Sequence, residues 1–392
     1  MVLLATPIIV LLSLWLWWPV GALARRWRVL ATLVTALAGA AQALLLQLLQ
    51  TASLDYATIA RLQVPAGWAL ATLGLLLPFA LLRDAAWLAA RLAGARIWMA
   101  RLHGATLTLL AVLLTGAASG FGVWQALQPP TVREQALELP LLPAALDGLR
   151  VAVLADIHAS PVNGGAYVQA VVERTLAAQP DLIVLPGDMV DGDVATTGPH
   201  IAALARLRAP HGVWLAPGNH EYYSGYDAWM AELRRLGLAV LQNQTQVLDI
   251  GGARLALSGI GDPVYGRTSV HNADPAVPEG VAPDVAAVAA QARAAGADFH
   301  LLLAHQPRFA RDNAAHGVGL QISGHTHGGH IRGMDRWVVA PFNNGFVRGS
   351  YAVGDMRLFV TNGAGLWAGF AVRLGVPPHI DVLTLRRAAP AR

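Results

Sequence analysis

The chain has 392 residues, 55% of them hydrophobic and 13% charged, with a net charge of +4 and no cysteine. A soluble domain usually carries about 25% charged residues, so this balance excludes an ordinary soluble protein, and the lack of cysteine excludes disulfide scaffolds and thiolate metal sites. All 28 basic residues are arginine, which removes Schiff-base and P-loop lysine chemistry.

Four apolar stretches open the chain: Val2–Val20, Val29–Leu49, Ala66–Leu82 and Leu107–Leu127. Each runs 17 to 21 residues without a charged side chain. At 1.5 Å per helical residue this is long enough to approach or cross a hydrocarbon core of about 30 Å. The pattern predicts a four-span transmembrane region over residues 1–127. A cleaved signal peptide fits poorly, because Arg25, Arg26 and Arg28 follow the first apolar run instead of preceding it. Trp15, Trp17 and Trp18 lie near those arginines, where an interfacial aromatic belt is expected.

Charge sets the expected orientation. Residues 1–127 hold eight Arg and two Asp, a net +6, and the remainder holds twenty Arg and twenty-two acids, a net −2. Arg25, Arg26 and Arg28 mark the first loop, and Arg83, Arg91, Arg96 and Arg101 against Asp84 mark the third. Positive loops stay cytoplasmic, which predicts both chain ends, and the second domain, on the extracytoplasmic side. Residues 84–103 carry Trp87, Leu88, Arg91, Leu92 and Trp98 near helical spacing, as an amphipathic helix on the inner face or a plain connector would. The second part has no net positive charge to attract a phosphate backbone, so no nucleic-acid-binding surface is expected there. A transporter would need ionisable groups within its spans, and these hold only Gln42, Gln47, Gln125 and small hydroxyls.

Gln128-Pro129-Pro130 breaks the last span and opens an expected linker over 128–147. From 148 to 392 the texture becomes α/β. Buried strands are predicted at Val151–Ala155, Leu182–Leu185, Val213–Ala216, Leu255–Ile260, His300–Ala304 and Leu320–Ser323. Helices are predicted at Ala166–Ala178, Tyr226–Leu236 and Asp284–Ala295, and a surface loop at Asp262–Ala282.

Twelve of the thirteen histidines fall in this second part. The polar ones gather just after predicted strands: Asp156 and His158, then Gly187-Asp188 with Asp191, then Gly218-Asn219-His220-Glu221, then His305, then Gly324-His325-Thr326-His327. Strand carboxyl ends are where sites assemble in open α/β sheets. Oxygen and nitrogen donors of this kind suit Zn, Mn or Fe. Asp-x-His and His-x-His put two donors on one face of an extended segment. A carboxylate such as Asp188 can bridge two cations about 3.5–4 Å apart, the arrangement that supports phosphoryl displacement. Glu221 reads as a helix cap. His200, His211, His271, His300, His316 and His379 read as surface or packing residues.

The ordered set Asp-x-His, Gly-Asp-x-x-Asp, Gly-Asn-His-Glu, His, Gly-His-Thr-His resembles the calcineurin-like metallophosphoesterase superfamily over about residues 148–387. Gly-His-Thr-His-Gly-Gly, Gly218–Gly225, Thr361–Gly365 and Pro377-Pro378 are similar to its membrane-anchored bacterial phosphodiesterase branch. That branch in turn resembles animal transmembrane proteins with a metallophosphoesterase domain. His330 departs from the pattern, standing where an amide side chain is expected.

The resemblance implies a two-sheet sandwich flanked by helices and two divalent or trivalent metal ions. Asp156, His158, Asp188 and His327 would hold the first ion; Asp188, Asn219, His305 and His325 the second. His220 would act on the leaving oxygen, with Asp191 orienting it. The implied activity is hydrolysis of phosphate esters, phosphodiesters first, by a metal-bridging hydroxide. A phosphomonoester, a lipid-linked or envelope-derived phosphate, or a non-catalytic scaffold of the same fold are the alternatives.

Overall fold

The computed structural model describes residues 2–50, 54–267, 277–367 and 370–388. They divide into two compact units: residues 2–126 with 370–374, and residues 127–367 with 375–388.

The first unit is helical: α1 (Val2–Trp17), α2 (Arg25–Gln50), α3 (Tyr56–Leu92), α4 (Arg96–Leu102) and α5 (Ala105–Leu127). Three helices are long and apolar enough to cross a membrane by length and composition, at Arg25–Leu45, Ala57–Leu92 and Ala105–Leu127. The expected fourth span, Val2–Val20, is shorter. Its helix stops at Trp17 after 16 residues, about 24 Å at 1.5 Å per residue. Pro19 disfavours helical backbone at the residue before it. The freed carbonyls are then capped from elsewhere: Arg83 donates to the carbonyls of Trp15 and Leu16, and Arg28 to that of Trp18. Arg83 is itself buried and paired with Asp84 at 2.8 Å, and Asp84 also accepts from the Trp15 indole.

The expected amphipathic helix over 84–103 is not one element. Its first half continues α3 to Leu92, Gly94 turns the chain with φ +67°, and α4 follows. The Trp68 indole of α3 donates to the Gly116 carbonyl of α5, and Thr72 bonds Ser119, so the two helices are tied by polar contacts within an apolar bundle. Residues 370–374 complete this unit. Ala371 lies against Gly67 and Val372 against Gly122, where any added Cβ would stand 2.6 Å from the packed side chain, and Arg373 N–H donates to the Gly122 carbonyl.

The second unit holds two mixed six-stranded sheets with helices. The first sheet runs β1 (Thr131–Leu139), β12 (His379–Arg387), β2 (Arg150–Val153), β3 (Leu182–Leu185), β4 (Val213–Leu215), β5 (Ala239–Val240). The second runs β10 (Gly349–Val353), β11 (Met356–Val360), β9 (Leu320–Ser323), β8 (Phe299–Leu303), β7 (Ala253–Gly259), β6 (Gln244–Ile250). Each has a parallel centre, β2 through β5 in one and β7, β8, β9 and β11 in the other.

Alternation along the central strands explains the layering. Val151, Val153, Leu182 and Val184 enter one core with Leu255, Leu257, Leu301, Leu303, Leu320 and Ile322 of the second sheet. Ala152, Ile183 and Leu185 face the opposite way, into a core with Val168, Val171 and Val172 of α6 (Gly165–Ala177) and Tyr226, Trp229 and Met230 of α9 (Tyr226–Arg235). A strand buried on both faces has no polar position to alternate with, hence the continuous apolar runs.

All six predicted strands and the three predicted helices are present, with no end displaced by more than two residues. The expected linker 128–147 differs: Thr131–Leu139 is a nine-residue strand paired in parallel with β12 across some 240 positions of sequence. Its charged, exposed face conceals the pattern, since only Leu137 and Leu139 are buried.

Candidate metal centre

Five strand ends deliver the expected residues to one place. Asp156 and His158 follow β2, Asp188 follows β3, Asn219 and His220 open α8 (Asn219–Tyr223) after β4, His305 follows β8, and His325 and His327 follow β9. Asp156, His158, Asp188, His325 and His327 all adopt positive φ, between 47° and 73°. Non-glycine residues rarely do so, and a cluster of them marks a site held against local backbone preference. Close glycine contacts permit it. A Cβ on Gly187 would stand 2.4 Å from the Gly218 nitrogen, and one on Gly218 would stand 2.3 Å from Asp188 Oδ1.

Glu221 does more than cap a helix. Buried beneath the centre, it accepts hydrogen bonds from the N–H groups of Asp188, Met189 and Gly218, at 3.0, 2.6 and 2.7 Å. One carboxylate thus binds the loop after β3 to the loop after β4 and fixes Asp188 beside Asn219. Asn163, which sequence reasoning did not single out, donates to the carbonyls of Ile157, His158 and Leu366 and shapes the Asp-x-His loop in the same way.

Donor atoms converge in two groups. In the first, His158 Nε2 and His327 Nε2 are 3.0 Å apart, His158 Nε2 is 3.7 Å from Asp188 Oδ2, and His327 Nε2 is 3.8 Å from Asp156 Oδ1. In the second, His305 Nε2 lies 3.0 Å from Asp188 Oδ2, and His325 Nδ1 lies 2.8 Å from Asn219 Oδ1. Two donors each about 2.1 Å from one ion stand about 3.0–3.4 Å apart at ordinary coordination angles. Asp156, His158 and His327 form one group able to hold an ion, and Asp188, His305 and His325 another.

Hydrogen bonding behind the centre assigns the ring nitrogens. His305 Nδ1 donates to the Pro186 carbonyl at 2.8 Å, which leaves Nε2 as the nitrogen facing the centre. That Nε2 is buried, 3.0 Å from an Asp188 oxygen, and lacks a hydrogen bond, as does Asp156 Oδ2. A lone pair facing a carboxylate oxygen is repulsive unless a proton or cation lies between them. These buried polar atoms without a hydrogen bond fit a cation pair.

Asp191 stands behind the first group. Its Oδ1 accepts from His158 Nδ1 at 3.1 Å and from His220 Nδ1 at 2.5 Å. Burial alone would lower the His220 pKa, but the charges of Asp188 and Asp191 overcome it and raise the imidazole to about 9. Burial raises the Asp191 carboxyl, and the adjoining His158 and His220 outweigh it and hold the group below the ordinary carboxylate range. The His220 ring lies 5.4 Å from that of Tyr223 and 6.3 Å from that of Trp367. His330 stacks on His327 with centroids 4.8 Å apart, and its ring is 6.4 Å from Trp367.

The remaining histidines do not join the centre. His200 accepts from the Gly165 N–H, His300 bonds Ser258, and His379 bonds Thr131. His211 and His316 are part-exposed on the surface, and His271 lies outside the described residues. So do residues 268–276 of the expected loop Asp262–Ala282, whose described ends are irregular.

Comparison with known proteins agrees with this geometry. Residues 149–329 match the calcineurin-like phosphoesterase family. The chain is 30% identical over 283 residues to an uncharacterized metallophosphoesterase of Campylobacter jejuni, covering 72% of this chain and 69% of that protein. It is 30% identical over 291 residues to the transmembrane protein with metallophosphoesterase domain of Bos taurus, and 27% identical over 296 residues to that of Danio rerio. Those matches cover 71% and 72% of this chain but only 62% and 63% of the two animal proteins.

Proposed function

Because this chain belongs to the calcineurin-like metallophosphoesterase family, we propose that it is a membrane-anchored hydrolase of phosphodiesters working at a dinuclear metal centre. Asp156, His158, Asp188 and His327 hold one ion, and Asp188, Asn219, His305 and His325 hold the other. The single observation that carries this reading is the pair of buried polar atoms without a hydrogen bond, His305 Nε2 and Asp156 Oδ2, one on a residue of each donor group. Ions of the Mn, Fe or Zn kind, when bound, supply an acidified water and neutralise phosphoryl charge.

The chain's own residues do the rest. Asp188, with one oxygen within reach of His158 and His305, sets the spacing of the two groups. Glu221 keeps it there. His220, its Nδ1 proton committed to Asp191, keeps Nε2 as the end that gives a proton to the leaving oxygen. Asp191 holds the ring orientation and favours its charged form.

The helices Arg25–Leu45, Ala57–Leu92 and Ala105–Leu127 anchor the enzyme in a bacterial inner membrane, with α1 as a fourth, short crossing. Arg25, Arg26 and Arg28 stand in the first turn of α2, and Arg83 and Arg91 in the last third of α3 with Arg96 and Arg101 in α4, before α5 begins. With both groups cytoplasmic, the catalytic unit emerges outside whether or not α1 crosses. A bilayer anchor favours a lipid-linked or envelope-derived phosphate as substrate.

Purified full-length protein, supplied with each metal in turn, tests the reading. Two ions per chain and faster cleavage of bis(p-nitrophenyl) phosphate than of p-nitrophenyl phosphate are expected. The reverse preference would make it a phosphomonoesterase, and metal binding without either activity would make it a scaffold.

A further inference from the structure

The chain that leaves the metal centre after His330 carries an apolar face turned to solvent. Asp335–Val339 winds as a π-helix and leads into a short helix at Ala340–Phe342. Trp337 and Phe342 are each 77% exposed and Val338 is 47% exposed. Among the described residues of the second unit, no other large hydrophobic side chain is as exposed as Trp337 or Phe342. Large aromatics grouped at a surface mark an interaction site more often than leftover core.

The charges around them have one sign. Arg332 and Arg336 are exposed, and the Arg336 guanidinium lies 5.6 Å from the centre of the Trp337 ring. The segment's one acid, Asp335, is already paired with Arg348. Outward, the segment offers Trp, Val and Phe rimmed by arginine. This composition suits a bilayer interface, where aromatic rings sit at headgroup level and arginine meets lipid phosphate.

The segment is also fastened to the catalytic loop. Arg348 donates to the Gly328 carbonyl at 2.7 Å, and a Cβ on Gly329 would stand 2.4 Å from that of Asp335. Gly328 follows His327 directly, so the exposed face is tied to the chain beside a candidate ligand.

We propose that Trp337, Val338 and Phe342, flanked by Arg332 and Arg336, dock into the headgroup layer of an anionic lipid bilayer. This rests on the membrane anchoring proposed above.

The absence of native cysteine allows a clean test. Phe342→Cys and, as a control on an exposed strand, Ser350→Cys are each labelled with a polarity-sensitive fluorophore in the full chain. Each is reconstituted into nanodiscs of phosphatidylethanolamine and phosphatidylglycerol. The label at 342 should shift to the blue and be quenched several-fold more than the label at 350 by nitroxides on the lipid. That quenching should fall when phosphatidylcholine replaces phosphatidylglycerol.

Equal, water-like behaviour of the two labels would overturn the docking. A blue-shifted label at 342 that lipid nitroxides do not quench would also overturn it, since protein would then be the cover. Equal quenching in neutral and anionic discs would overturn the anionic assignment. Recovery of the chain from cells without detergent would instead overturn the anchoring itself.

Discussion

His220 Nδ1 and Asp191 Oδ1 are 2.5 Å apart, and the same oxygen lies 3.1 Å from His158 Nδ1. One carboxylate therefore serves both a candidate metal ligand and the candidate proton donor. Asp191→Asn removes the charge that keeps His220 protonated while leaving His158 Nε2 free to bind. Turnover should drop about 10²- to 10³-fold with both ions retained. Because the two residues act as a unit, the Asp191→Asn, His220→Gln double variant should be hardly slower than His220→Gln alone. Fully multiplicative losses in the kinetics of the three variants would separate the roles.

In the proposed centre Asp188 is the one residue that serves both ions. Asp188→Ala should abolish turnover and leave less than one ion per chain by elemental analysis, whereas His220→Ala should keep both ions. Full metal occupancy in Asp188→Ala would contradict its bridging position.

Glu221 accepts three backbone N–H groups while buried. A glutamine there presents an NH₂ to at least one of those donors, which leaves a buried group unsatisfied. Glu221→Gln should lower stability by about 2–4 kcal/mol and weaken metal binding together, measured by thermal melting with and without metal. A variant as stable as the parent would show that the loops after β3 and β4 hold without it.

His300 gives a pH dependence away from the centre. Buried, and facing Arg293, it has its pKa pushed down to about 4. In the unfolded chain the ordinary value of about 6.5 applies. The unfolded state thus takes up a proton first as pH falls. The stability contributed by neutral His300 is complete above about pH 6.5 and is lost progressively toward pH 4, by up to about 3 kcal/mol. His300→Gln, which can still bond Ser258, should flatten that part of the melting-temperature profile. An unchanged slope would assign it to other groups.

The candidate site residues were legible because their strands are. Val151–Val153 and Leu182–Leu185 are buried on both faces and read as unbroken apolar runs, Leu320–Ser323 is equally buried with Gln321 and Ser323 between and after its apolar residues, and the polar residues after all three stand out by contrast. Strands exposed on one side were not legible. β1 carries Arg133, Glu134 and Glu138, β10 is a short run of Gly, Ser, Tyr, Ala and Val, and β1 finds its partner in β12 only through the whole intervening fold. The part played by Glu221 was hidden for a related reason. A helix-capping glutamate and one that also binds a neighbouring loop share the same local sequence, and only the meeting of β3 with β4 distinguishes them. The length of α1 turned on Pro19 and on capping by Arg83, more than sixty residues away.

Residues 370–374 belong to the helical unit although chain on both sides of them belongs to the two-sheet one. Excising the amino-terminal helices would thus remove the bed on which Ala371 and Val372 lie and leave an apolar stretch of the fragment bare to water. A shortened, water-soluble version would inherit a sticky loop three residues beyond Trp367. Gene fusions or exchanges that swap the helices for another anchor would meet the same obstacle, unless Gly67 and Gly122 travelled with them.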